Sequence, residues 1–277
     1  MTELTFVAAL FTPFGEDGGV DREALAGHVR FLFDKGIDAV MPCGTTGEGP
    51  LLDDEVVEEV VAATVEAAGG RTVIAHVGRP GTEATIRLAR RAVVAGASAI
   101  SAVVPYYYSL APEQTLRHYR SLLEAVPDVP VFAYTIPDRT GNQLERETLE
   151  ALAHDGLAGL KDSTKSFDRH LEYLAAAKGN DLRVLMGSDG MVLEALRAGA
   201  AGSVSALANL RPDLLVRLKR AFLEGREEEA ERTQKEIAEL RSSFSEGPTL
   251  SALKRAVAES LAEVGVKYPP MLRAPLG

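Results

Sequence analysis

Short apolar runs and amphipathic helical stretches alternate eight times along this chain, and a chain so ordered has few folds open to it. Leu4 to Leu10 is the first apolar run, ended by Thr12-Pro13. Asp21 opens a helix whose Leu25, Val29, Leu32 and Phe33 share one face before it closes near Gly36. Ala39 to Cys43 reads as the second strand. Asp53, Asp54 and Glu55 then sit in the first turn of the next helix, where the dipole favours negative charge. The order continues through strands Val73–Val77, Ala99–Val104, Val131–Tyr134, Leu157–Lys161, Arg183–Met186 and Gly202–Ser205. Helices are expected from near Thr82, Pro112, Glu145, Phe167, Met191 and Pro212. Four strands share a Gly-x-x-small entry: Gly36 to Ala39, Gly96 to Ala99, Gly156 to Gly159 and Gly199 to Gly202. Each leading glycine suits a left-handed helix end, and the small residue lets strand and helix approach closely.

Regular alternation implies parallel strands joined by right-handed helical crossovers, and eight units predict a closed (β/α)₈ TIM barrel. A doubly wound open sheet is the competitor, but no G-x-G-x-x-G follows the first strand. From about Glu227 the strands stop, and two helices are predicted over Glu228–Phe244 and Thr249–Glu263. The expected division is a catalytic barrel over 1–226 and a C-terminal helical extension over 227–277, the latter serving packing or oligomer contacts. A formal charge of −10 argues against a nucleic-acid partner, which would need a basic face. No apolar run approaches the roughly 18–20 residues of a membrane span. The start, Met1-Thr2-Glu3-Leu4, is acidic and has no signal-peptide pattern, and Cys43 is the only cysteine. A reducing cytoplasm is therefore expected. His28, His76, His118, His154 and His170 show no close metal-ligand spacing, so no metal is expected.

The stretch Leu157-Ala158-Gly159-Leu160-Lys161-Asp162-Ser163 is an apolar strand that ends on a lysine. Burying an ammonium is costly unless it is paired or deprotonated. The other seven lysines, Lys254 among them, lie in helical or polar sequence where a solvated head is easy to arrange. A desolvated lysine can attack a carbonyl carbon to form a Schiff base, whereas a structural strand-end lysine would pair with Asp162. A barrel carries its chemistry where the strands end at their C-termini. Thr45 and Thr46, Tyr106 and Tyr107, Tyr134 with Arg139, Lys161, and Gly187-Ser188-Asp189 all fall there. Gly44 to Gly49 could be a flexible turn, or a nest whose N–H groups and threonine hydroxyls hold a carboxylate. Tyr134 and the Tyr106–Tyr108 run could be packing, Arg139 could pair with Asp138, and His76 could be a satisfied core histidine. Cys43 reads as core, since nothing nearby would activate a thiolate.

Together these residues resemble the dihydrodipicolinate synthase and N-acetylneuraminate lyase family of pyruvate-type Schiff-base enzymes. The likeness is carried by Thr12-Pro13-Phe14, Gly44-Thr45-Thr46-Gly47-Glu48, Pro105-Tyr106-Tyr107, Tyr134-Thr135-Ile136-Pro137, Gly159-Leu160-Lys161-Asp162 and Gly187-Ser188-Asp189. The resemblance implies a (β/α)₈ barrel with C-terminal helices, usually tetrameric, acting without metal or organic cofactor. It implies that Lys161 forms the Schiff base with a 2-keto acid and that Tyr134 shuttles the proton. Thr45 and Thr46 would bind the keto-acid carboxylate, and Tyr107 would reach a neighbouring subunit's site through Thr45. Gly47, Arg139, Gly187, Ser188 and Val204 complete the implied substrate-binding set. The partners implied are a small 2-keto acid, an aldehyde and further copies of the chain.

Within the family, Gly47-Glu48-Gly49-Pro50, Pro112-Glu113 and Tyr268-Pro269-Pro270 resemble 2-keto-3-deoxygluconate aldolases. Arg139 instead matches the arginine that holds the aspartate-semialdehyde carboxylate in dihydrodipicolinate synthases. Synthases usually carry serine where Gly49 stands and asparagine where Thr135 stands. The expected activity is therefore a sugar-acid aldolase, with the synthase as alternative; a dehydratase using the same Schiff base is not separable on sequence. A catalytically dead binding barrel would lack the lysine or the strand-five tyrosine, and both are present. The chain ends at Gly277, before the last helix that many members carry, so a different tetramer contact is expected.

Overall fold

The computed structural model describes residues 4–244 and 249–277. Met1-Thr2-Glu3, which carry the reading of an acidic start, lie outside the described residues. Eight strands run β1 Thr5–Ala9, β2 Ala39–Met41, β3 Thr72–His76, β4 Ala99–Val103, β5 Val131–Thr135, β6 Gly159–Asp162, β7 Arg183–Met186 and β8 Gly202–Ser205. The helices are α1 Arg22–Asp34, α2 Asp54–Ala68, α3 Thr82–Val94, α4 Pro112–Ala125, α5 Pro137–Thr140, α6 Arg146–His154, α7 Phe167–Ala177, α8 Val192–Ala198, α9 Pro212–Leu223, α10 Glu227–Ser243 and α11 Thr249–Glu263. Every strand pairs in parallel with the next, and β8 closes on β1 in the register Thr5 to Gly202 through Ala8 to Ser205. The TIM barrel is thus present, with two helices after its last unit. A single turn of helix, α5, follows β5, and β6 runs one residue past Lys161.

Side chains alternate across each strand, and the alternation divides the core in two. Val7, Ala9, Ala39, Met41, Ile74, Ala99, Phe132, Leu185 and Val204 fill the inside of the barrel. Phe6, Ala8, Val40, Ala75, Ile100, Leu160 and Val184 face outward into the larger core shared with Leu25, Leu32, Val57, Leu88, Leu122 and Leu149 of the helices. Each such side chain contributes about 1.5–3 kcal/mol on burial, so the outer layer is the main source of stability.

The helix ends explain how each unit turns back to the barrel. Gly36, Gly96, Gly156 and Gly199 have φ of +93°, +94°, +95° and +105°. Each glycine N–H reaches a carbonyl three residues back, and the following residue reaches one five back, as in Ile37 to Leu32 and Ala97 to Ala92. This double bond pattern satisfies the last carbonyls of the helix and reverses the chain within two residues. At the opposite end of α1, the Asp21 carboxylate accepts from the Ala24 N–H at 3.0 Å. Among the described residues no helix is long and apolar enough to cross a membrane.

Candidate active site

Lys161 lies on β6, aligned with Tyr134 of β5 and Leu185 of β7, and is 5% exposed. Its Nζ sits over the Tyr134 ring, 4.1 Å from the centroid. Asp162, the neighbour that could have paired with it, is committed to the outer side of the strand. Its Oδ2 is 2.8 Å from His170 Nδ1, and its Oδ1 accepts from the Thr164 N–H and hydroxyl. Lys161 therefore has no carboxylate partner among the described residues, and its surroundings are aromatic. The Tyr134 hydroxyl is 3.3 Å from Thr45 Oγ1. Cation–π contact and burial hold the amine at the barrel mouth without a salt bridge to tie it up.

His76 packs edge-on against Tyr134 at 5.9 Å. Its Nε2 accepts from the Val103 N–H at 3.2 Å, so the ring is the neutral tautomer with the proton on Nδ1. Burial, with the Lys161 and Arg79 charges adding to it, pushes its pKa down to about 3. A ring that cannot protonate near neutrality serves as a wall for Tyr134, the satisfied-core alternative of the sequence reading. Cys43 is likewise inert: burial pushes its thiol up to about 12.

The loop after β2 folds tightly under this group. Cys43 and Glu48 are both left-handed, each with φ of +61°, a backbone state costing non-glycine residues about 1–3 kcal/mol. A Cβ on Gly47 would come within 2.8 Å of the Leu10 carbonyl oxygen, so only glycine fits there. The Thr12 hydroxyl donates to the Gly47 carbonyl at 2.9 Å. Among the described residues the N–H groups of Thr45, Thr46 and Gly47 make no hydrogen bond within the chain. Three consecutive unspent donors beside two threonine hydroxyls suit an anion. Thr46 is buried and Thr45 exposed.

The strain at Glu48 is held by buried charge. Its carboxylate is fully buried, 2.8 Å from the ammonium of an equally buried Lys254 and accepting from the Arg273 N–H at 2.7 Å. Lys254 also donates to the carbonyls of Thr12 and Met271. Burial pulls the Lys254 pKa down, with Glu48 opposing it. This corrects the expectation that every lysine but Lys161 is solvated; a helical position in the sequence does not reveal that its face is covered by a distant loop. Removing one partner of such a pair costs about 3–5 kcal/mol. Arg79 holds the far end of the loop, donating to the carbonyls of Gly49 at 2.8 Å and Leu52 at 2.7 Å while pairing with Asp54.

The remaining residues ring the mouth. Tyr107 is 83% exposed with φ of +82°, packed edge-to-face on Tyr108 at 5.0 Å, and does not touch Thr45 of its own chain. Arg139 is exposed in α5 and makes no ion pair among the described residues, since Asp138 pairs with Lys165 at 2.6 Å. Gly187 donates to the Asp162 carbonyl at 2.6 Å, and Ser188 is half-buried before a 3₁₀ turn at Asp189–Met191. Val204 lies inside the barrel. Asp189 was passed over as a site residue in the sequence. It is buried, burial raises its pKa, and Lys161 is near enough to act on it electrostatically. An acidic residue two positions after the glycine that follows strand seven was the available signal.

Fold and mouth together define a class: a (β/α)₈ barrel with a buried lysine near the end of its sixth strand. The chain belongs to the dihydrodipicolinate synthetase family, whose model matches residues 4–277. It is a lyase, as that family's members are. An uncharacterized DapA-like lyase of Halobacterium salinarum is 40% identical over 255 residues, covering 91% of this chain and 82% of its own. A 4-hydroxy-tetrahydrodipicolinate synthase of Methanosarcina acetivorans is 33% identical over 263 residues, covering 94% and 90%. The crystal structure of dihydrodipicolinate synthase from Aquifex aeolicus superposes with a TM-score of 0.89 at 32% identity, covering 99% of this chain and 92% of that one.

Proposed function

We propose that this lyase makes or breaks a carbon–carbon bond between pyruvate and an aldehyde through a Schiff base on Lys161, and that its substrate is a 2-keto-3-deoxy sugar acid. The observation that carries the reading is the buried Lys161 amine over the Tyr134 ring, in no ion pair among the described residues, beside a loop with three N–H donors unspent there. The Lys161 amine adds to the keto carbon of the sugar acid, and loss of water leaves an iminium. As the carbon–carbon bond breaks, its electron pair moves into the iminium to give an enamine. Tyr134 gives its proton to the departing water, and the phenolate so formed takes the proton of the hydroxyl on the departing fragment, which becomes the aldehyde. Protonation of the enamine carbon and addition of water then release pyruvate and restore the amine. Thr45, Thr46 and Gly47 hold the keto-acid carboxylate, and Gly187, Ser188 and Val204 line the chain of the substrate. Tyr107, exposed on its own subunit, reaches Thr45 of a second copy, so the active form is a homo-oligomer. The chemistry is assigned to the barrel over 1–226, and the layer over 227–277 packs against it.

The loop supports a sugar acid over aspartate semialdehyde. A Cβ on Gly49 would run into the Cys43 carbonyl, so this loop could not take the serine that synthases usually carry there without changing course. The synthase reading is kept for Arg139, whose uncommitted guanidinium could take a second carboxylate in two parallel bonds. Borohydride with pyruvate should add one pyruvate-derived mass to the peptide containing Lys161, and Lys161→Ala should lose both adduct and turnover. An adduct on another lysine would remove the mechanism. Turnover of 2-keto-3-deoxygluconate should exceed condensation of pyruvate with aspartate semialdehyde, and Arg139→Ala should reduce it only modestly. Efficient condensation lost in Arg139→Ala, with no cleavage of the sugar acid, would make the chain a synthase.

A further inference from the structure

We propose that the C-terminal segment sets the affinity of the site for its keto acid, with Lys254 and Glu48 as positioning residues. The inference rests on reading Thr45 to Gly47 as the carboxylate loop. Glu48 directly follows that loop, and its left-handed backbone turns the chain back so that the Gly49 N–H can bond the Gly44 carbonyl at 3.0 Å. The Glu48 side chain places both carboxylate oxygens outside the loop. One goes to Lys254 of α11 and the other to the N–H of Arg273. Lys254 completes the tie by bonding the carbonyl of Thr12, whose hydroxyl holds Gly47, and the carbonyl of Met271. The Phe14 ring lies 4.7 Å from the Lys254 ammonium and 4.9 Å from the Arg273 guanidinium, screening the knot from water.

A buried ion pair is a weak source of net stability, since desolvation offsets its attraction, but it fixes geometry strictly. Here the geometry fixed is that of the backbone whose N–H groups at Thr45, Thr46 and Gly47 have no partner among the described residues. A second tie runs from α10: Gln234 accepts from the Leu193 N–H at 2.8 Å and donates to the Asp189 carbonyl at 2.9 Å. Both helices of the added layer thus grip loops at the barrel mouth.

The test uses the full chain and reads the pyruvate concentration giving half-maximal borohydride trapping on Lys161, which needs no knowledge of the aldehyde. Lys254→Met should raise it about tenfold or more, as expected when a pre-set site must be reordered on binding. Trapping at saturating pyruvate should still reach one adduct per chain. Glu48→Met/Lys254→Met removes both charges and should melt well above the single variant, yet its pyruvate requirement should stay high. If the double variant regains pyruvate affinity together with thermal stability, the pair only holds the fold and the proposal fails. Unchanged affinity in Lys254→Met would overturn it as well. Thr46→Val separates the two readings. A rise of about fivefold there, the usual cost of one hydrogen bond, supports the carboxylate loop, so that any failure of the Lys254 variants falls on positioning alone. No change in Thr46→Val would sink the loop reading and this inference with it.

Discussion

A tyrosine transfers protons usefully only when its hydroxyl is held in place, and Tyr134 is held on three sides. His76 meets its ring edge-on at 5.9 Å, Lys161 covers its face at 4.1 Å, and Thr45 engages its hydroxyl at 3.3 Å. His76 does this because it is neutral: with a pKa near 3 it brings no charge to compete with the amine. Tyr134→Phe keeps the ring and removes only the hydroxyl. It should leave borohydride trapping of pyruvate intact while lowering turnover by about 10²–10⁴-fold, the range for one positioned acid or base. Near-normal turnover would mean that Tyr134 is packing alone.

At the scale of elements, the barrel depends on the contact between its first and last strands. Gly202 opens β8 with φ of +143°, and a Cβ there would be driven into the Thr5 carbonyl of β1. That same stretch makes the closing bond from the Thr5 N–H to the Ala201 carbonyl at 3.0 Å. Gly202→Ala should therefore combine backbone strain with steric overlap and cost about 3 kcal/mol or more, read from urea unfolding. A loss under about 1 kcal/mol would show that β8 can slide without opening the barrel. The left-handed glycines that end the helices were visible in the sequence, since only glycine meets that need without penalty. The same letters did not show that Gly202 also carries barrel closure, because the partner strand is nearly two hundred residues away.

Across the whole molecule, three buried histidines give stability a definite pH dependence. Burial lowers the pKa of His28 to about 4, His76 to about 3 and His118 to about 4, from an ordinary value near 6.5. The unfolded chain then takes up protons before the folded one. Stability is full above pH 6.5 and is lost as pH falls toward 4 and 3. At pH 5.5, still above the titration of ordinary carboxylates, each histidine should have cost on the order of 1 kcal/mol. Thermal melts between pH 7.5 and 5.5 should show a clear drop in Tm; a flat profile would mean these rings are not buried neutral. The order of strands and helices, the barrel and the strand-end position of Lys161 all followed from the sequence, because periodicity and turn residues act within a few positions. Tertiary structure alone decided that Asp162 points to His170 and not to Lys161, that Lys254 is buried against Glu48, and that Tyr107 stands exposed. Those outcomes depend on which faces the closed barrel brings together, and two residues 206 positions apart carry no local signal of their pairing.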